Sequence, residues 1–200
     1  MGVSENTSIT LLERIRDPGN NDAWERFASF CQPVIWRYAR QLGCNDGMCQ
    51  DIVQETLVDL IRIMATFRYD PANGRFRSFL YQVVRRRVCN AWRRQARYLT
   101  LDPSDLAACA VAPEPHPESW EAEWQRQVVV EALERLRQRV EATSFEAFRA
   151  DLVLGEPVAS ICARLDLQPN AFYQIRHRLG AALRRIVDTI ENEVEGQHGL

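Results

Sequence analysis

Apolar residues recur along most of the chain at three- and four-residue intervals, the period of helices that bury one face, and strand-type alternation is nearly absent. The expected class is all-α. Between Met48 and Thr66, the residues Val53, Leu57, Leu60, Ile61 and Met64 fall on one side of a helical wheel, which predicts a helix with that side in a core. Asp51, Glu55, Asp59 and Arg62 fall opposite and read as a solvated ridge. The stretch from Tyr69 to Arg75 contains Pro71 and the pair Asn73-Gly74, so it is expected to turn, with a helix restarting near Phe76. Phe76, Leu80, Val83, Val84, Val88 and Ala91 form the apolar face of that helix. Arg87 lands in the middle of this face, so it needs a buried partner or the helix must bend. Farther on, Val158, Ile161, Cys162 and Leu165 give a short amphipathic helix, and Asp166 to Pro169 a turn. Phe172, Ile175, Leu179, Leu183 and Ile186 then give the stripe of a second helix, which tolerates Pro169 in its first turn, where an N–H has no intrahelical acceptor. That spacing is a helix-turn-helix.

Charge divides the chain more clearly than hydropathy does. The net charge is only -2, but all 25 basic residues are arginines and they are clustered. Eight of them, with no acid, lie between Arg75 and Arg97, which makes a polyanionic partner plausible. From Leu101 to Trp124 there are six acids, no arginine, and prolines at 103, 113, 115 and 117, the composition of a linker. Val158 to Val187 is basic again, and four acids follow from Asp188 onward. The expected organisation is therefore a helical bundle over residues 1–97, an acidic, proline-containing linker over 98–118, a second small bundle with the helix-turn-helix over 119–190, and an acidic tail over 191–200.

Several classes of chemistry are disfavoured. No apolar run approaches the roughly 20 residues that span a bilayer, and the N-terminus does not resemble a secretory signal, so a soluble, cytoplasmic protein without membrane association is expected. Cys31, Cys44, Cys49, Cys89, Cys109 and Cys162 lack paired spacing and read as reduced thiols, and no histidine cluster or second cysteine pair completes a zinc site. We expect neither a metal nor a cofactor.

Two surfaces suggest binding. On the helix from Phe76, a second stripe carries Phe79, Arg86, Asn90, Arg93 and Arg97, while Tyr81 and Trp92 add aromatic surface. Arginines neutralise phosphates and aromatic rings stack on unpaired bases at about 1–3 kcal/mol each, so single-stranded or melted nucleic acid is the favoured ligand. On the helix after Pro169, Asn170, Tyr173, His177 and Arg184 face outward with Gln174 and Arg176 on the flanks, side chains able to meet base edges or phosphates. Two readings remain open on these grounds: a helix-turn-helix regulator with a dimerising N-terminal bundle, and a magnesium nuclease using Asp51, Glu55 and Asp59.

The runs Asp51-Ile-Val-Gln54-Glu55, Phe67, Phe76-Arg-Ser-Phe-Leu80 and Arg85-Arg-Arg-Val-Cys-Asn-Ala-Trp-Arg-Arg94 resemble the second domain of sigma-70 family factors. The later helix-turn-helix is similar to their fourth domain, and with no third domain the resemblance is to the extracytoplasmic-function (ECF) type. It implies a non-enzymatic sigma factor that directs RNA polymerase core to promoter DNA and helps to melt it. Asp51, Gln54 and Glu55 match the motif that docks on the polymerase β′ clamp, and the β flap is the second implied contact. The −10 element would be met by Phe79, Arg86, Asn90, Trp92, Arg93, Arg94 and Arg97, and the −35 element by Asn170, Tyr173, Gln174, Arg176, His177, Arg178 and Arg184. An anti-sigma factor is a further partner compatible with two tethered domains. Arg86 stands where many relatives carry asparagine, and Leu136-Arg137 where they carry Leu-Pro.

Overall fold

The computed structural model describes residues 10–66, 75–98 and 116–195, without the side chains of Arg97 and Tyr98. The described residues form eight helices and no strand: α1 (Leu11–Arg14), α2 (Asn21–Gln41), α3 (Asp46–Met64), α4 (Phe76–Tyr98), α5 (Pro117–Arg137), α6 (Ala142–Leu152), α7 (Val158–Leu165) and α8 (Pro169–Glu195). The protein is all-α, as its periodicity requires. Contacts divide it into two units, one of Met1–Gln127 with Asn192–Leu200, the other Val128–Glu191. None of the described helices is long and apolar enough to cross a membrane.

In the first unit, short polar side chains start the helices. Thr10 accepts from the Glu13 N–H and Glu13 returns a carboxylate to the Thr10 N–H at 2.9 Å, a reciprocal cap on α1. Asn20 caps α2 through the Ala23 N–H, and Asn45 caps α3 through the Met48 N–H at 2.9 Å. Between α2 and α3 the chain passes Gly43 at φ 77°, a backbone state that favours glycine. The core is unusually aromatic. Phe27 meets Phe76 at 5.8 Å between ring centroids, Tyr38 meets Tyr81 at 6.1 Å and Trp120 at 5.3 Å, and Phe30 meets Trp124 at 5.2 Å, each edge to face.

Those last contacts differ from the expected organisation. Residues 119–127 were expected in the C-terminal bundle, yet Trp120 and Trp124 are buried among rings of α2 and α4. The acids counted as linker charge also have work in the first unit: Glu123 accepts from Arg37 and from Gln41 at 2.7 Å, and Glu121 pairs with Arg77 at 3.0 Å. The expected linker residues 99–115 lie outside the described residues, and the helix starts at Pro117, in the first-turn position that proline tolerates. The tail expected from residue 191 begins later. Residues 191–195 are helical, Val194 and Glu195 are buried, and Glu195 pairs with Arg77 at 3.1 Å.

In the second unit, Ala147 and Ala150 of α6, Ile161 of α7 and Phe172 of α8 form a buried cluster, with Val158, Cys162, Leu165 and Leu167 packed against it. The small alanines admit the Phe172 ring. Glu141 starts α6 by accepting from the N–H groups of Thr143 at 2.7 Å and Ser144 at 2.8 Å, and these bonds hold its carboxyl down to about 2. Cys31, Cys44, Cys49, Cys89 and Cys162 are free thiols, and Cys109 lies outside the described residues.

Candidate docking and nucleic-acid interfaces

The phase of α3 decides what it can present. Its buried residues are Cys49, Ile52, Val53, Thr56, Leu60 and Met64, a face turned by about 60° from the expected one at roughly 100° per residue. Leu57 is therefore only half-buried and Ile61 is 42% exposed. The outward side carries Asp51 and Gln54, both exposed, with exposed Val58 and Ile61 along the same helix.

The rotation brings Glu55 and Asp59 toward α4, and this corrects the picture of a solvated acidic ridge. Arg87 lies between the two carboxylates, with Nε 2.7 Å from Asp59, a second short contact from the same guanidinium to Asp59, and another 2.9 Å from Glu55. Of the two ways to accommodate Arg87, the structure takes the partnered one. Arg94, one helical stretch farther along α4, donates to the other oxygen of Glu55 at 2.6 Å. This hydrogen bond and then the nearby Arg87 charge hold the Glu55 carboxyl below its ordinary range against the opposing effect of burial. A row of Asp51, Glu55 and Asp59 open to magnesium is not what forms, because two guanidinium groups already occupy the inner carboxylates. Among the described residues no cluster of three or more histidines, cysteines or carboxylates is arranged to hold a metal ion.

On α4 the expected aromatic surface is mostly interior. Tyr81 is buried against Tyr38 and Trp120. Trp92 is half-buried with its indole nitrogen inside, and a β-carbon at Gly43 would stand 3.7 Å from its ring. Phe79 is half-buried, 5.9 Å from Phe76. Arg86 and Arg93 are exposed, Asn90 is half-exposed, and Arg94 is held by Glu55 as described. The side chain of Arg97 lies outside the described residues. The surface α4 offers to a polyanion is thus mainly arginine and amide, with little free ring.

Residues 30–98 match the family model of Sigma-70 region 2. The matched stretch runs from within α2 to the end of α4, so it contains Asp51, Gln54 and Glu55 and the arginines of α4 together. That stretch, about a third of the chain, is similar to region 2 of sigma-70 family factors, which act in transcription initiation. No curated protein matches the chain. Within the matched stretch, the pairing of Arg87 with Asp59 and Glu55 is what the sequence does not assign. Its signal was present, as a charge stranded on an apolar face and two carboxylates one turn apart on a neighbouring helix.

Outside region 2, α7 and α8 are joined by Asp166 to Gln168. Asp166 closes α7 in the left-handed conformation at φ 52°, and its N–H and that of Leu167 both reach the Cys162 carbonyl. Aspartate tolerates that conformation better than most residues. Phe172 and Leu179 then point inward, which leaves Asn170, Tyr173, Gln174, Arg176, His177, Arg178 and Arg184 exposed on α8, with Tyr173 at 53%. Of these, Arg176 is tethered, its Nε in an ion pair with Asp151 of α6 at 3.2 Å. At the end of α6, Leu152, Val153 and Leu154 are all exposed.

Proposed function

We propose that the protein is an ECF-type sigma factor, working in the cytoplasm, that brings RNA polymerase core to promoters and assists their melting. The observation that carries the reading is the region 2 match, which falls on the same helices as a polar docking face and an arginine face. In this reading Asp51, Gln54 and Glu55, widened by the exposed apolar side chains Val58 and Ile61, meet the β′ clamp. Arg86, Asn90, Arg93 and Arg94, with Phe79, Trp92 and Arg97 nearby, engage the −10 element as it opens.

The second unit is assigned the −35 element. The joined helices α7 and α8 act as a DNA-binding helix-turn-helix, with Asn170, Tyr173, Gln174, His177 and Arg178 toward the major groove and Arg176 and Arg184 toward phosphates. The β flap is the proposed polymerase contact of this domain, and an anti-sigma factor its proposed regulator. The expected linker, residues 98–118, would join α4 to α5.

The test is fluorescence anisotropy with labelled full-length protein, titrated with duplex DNA alone and with core polymerase. We expect weak binding to duplex and tight binding to core. Tight, sequence-specific binding to a palindromic duplex by the free protein, with none to core, would instead make it a polymerase-independent regulator.

A further inference from the structure

We propose that Glu55 is a shared anchor for which a docking partner and Arg94 compete, so that polymerase docking releases Arg94 to nucleic acid and each binding event favours the other. The proposal rests on the docking role given to Glu55 above, and adds to it a mechanism of coupling. Both oxygens of Glu55 are engaged in the free chain, one by Arg94 at 2.6 Å and the other by Arg87 at 2.9 Å. The two arginines are not held equally. Arg87 is 26% exposed and straddles two carboxylates, Glu55 and Asp59. Arg94 is 42% exposed and, among the described residues, is ion-paired with Glu55 alone; Asp51 attracts it only from beyond ion-pair distance and the neighbouring Arg87 charge repels it.

A cationic group of a docking partner that reaches Glu55 places a third positive charge around one carboxylate. The least-held cation then leaves, and that is Arg94. Asp59 keeps Arg87 in place, so the carboxylate stays oriented while Arg94 swings free on the same helix as the exposed arginines Arg86 and Arg93. Released there, it adds one cation to the face offered to phosphates. Linkage makes the effect reciprocal: a phosphate that captures Arg94 uncovers Glu55 for the docking partner.

The experiment uses the full chain and two probes, a labelled single-stranded oligo-dT and bacterial core RNA polymerase, with wild type, Glu55→Gln, Arg94→Ala and the double variant. Glu55→Gln removes the anchor's charge but leaves the Arg87 pair with Asp59. We expect it to tighten oligo-dT binding by about 1.5- to five-fold, the range that pairs near the surface span, and to weaken core binding. Arg94→Ala is expected to do the opposite on both probes. In the double variant the oligo-dT gain should vanish, because there is no Arg94 to release. A gain that persists in the double variant is a general effect of lost negative charge and overturns the proposal. So does Arg94→Ala weakening core binding in a variant whose circular dichroism and melting match wild type. If wild type itself fails to bind core, the docking role falls, whereas the oligo-dT comparison still reports whether Glu55 restrains Arg94.

Discussion

Arg87 shows what a single residue reveals and hides in a sequence. Its misfit on the apolar face of α4 was visible, because helical periodicity fixes which positions face inward. Its partners were not, because Glu55 and Asp59 lie about thirty residues away and nothing local links them. The same gap affects the mutation most natural from sequence. Glu55→Arg reads as a surface change on a wheel, but in the structure it sets a third guanidinium beside Arg87 and Arg94, so loss of docking would be mixed with disruption of α3 and α4. Arg87→Met is the informative stability variant. It leaves Glu55 and Asp59 facing each other half-buried and should cost roughly 1–3 kcal/mol at neutral pH, read from urea denaturation. The sign with pH follows from the lowered Glu55 carboxyl. A depressed folded-state value contributes stability above the unfolded carboxyl value of about 4.3, and that contribution disappears as pH falls through the folded value. The gap between wild type and Arg87→Met should therefore narrow on acidification. A gap that is the same at pH 7 and pH 3 would mean that Arg87 does not help to hold the Glu55 carboxyl down, since Arg94, the first cause of its lowering, remains in both proteins.

At the scale of elements, α3, α4, α7 and α8 were legible as helices, but their surroundings were not. The restart at Phe76, the turn before Pro169 and the phase of α8 all follow from local chemistry: a cap, a proline in a first turn, an apolar residue every three or four positions. Helix α3 was placed correctly but turned, because Leu57 and Ile61 extend its apolar arc on one side while Thr56 interrupts it on the other. A buried threonine and an exposed isoleucine cannot be told apart from the reverse by periodicity. The first half of α5 was misplaced for a similar reason, since proline and acid composition marks a linker only when the acids lack partners. Here Glu121 and Glu123 have them, and Trp120 and Trp124 sit one turn apart on the buried side. Trp124 gives the decisive variant. Trp124→Ala empties a fully buried site against Phe30 and should destabilise the first unit by about 3–5 kcal/mol. Trp124→Phe keeps most of the ring and removes an indole N–H with no partner among the described residues, so it should cost under about 1.5 kcal/mol. Denaturation curves giving similar small losses for both would show that this half of α5 is not anchored by its tryptophans.

For the whole molecule, charge placement matters more than charge. With 27 acids against 25 arginines, the chain as a whole does not attract a polyanion, so any nucleic-acid affinity must come from local faces such as the exposed arginines of α4 and the outward side of α8. Each face alone is small. Two weak contacts on one tether reinforce each other only when both elements can be met at once, and a mismatch in geometry forfeits the gain. On the proposed reading, shifting the −35 element by about half a helical turn, roughly 5 bp, carries it to the opposite side of the duplex. The shift should reduce promoter-complex formation by holoenzyme about as much as deleting the element. The sharper signature is non-additivity. On a correctly spaced promoter obtained by selection with this protein, Gln174→Ala on α8 should weaken binding by about 1–3 kcal/mol if it meets a base; on the misphased promoter it should cost nothing further, since α8 is no longer engaged. If Gln174→Ala costs the same at both spacings, α8 reaches its element independently of region 2, and the two faces do not act as one bridge.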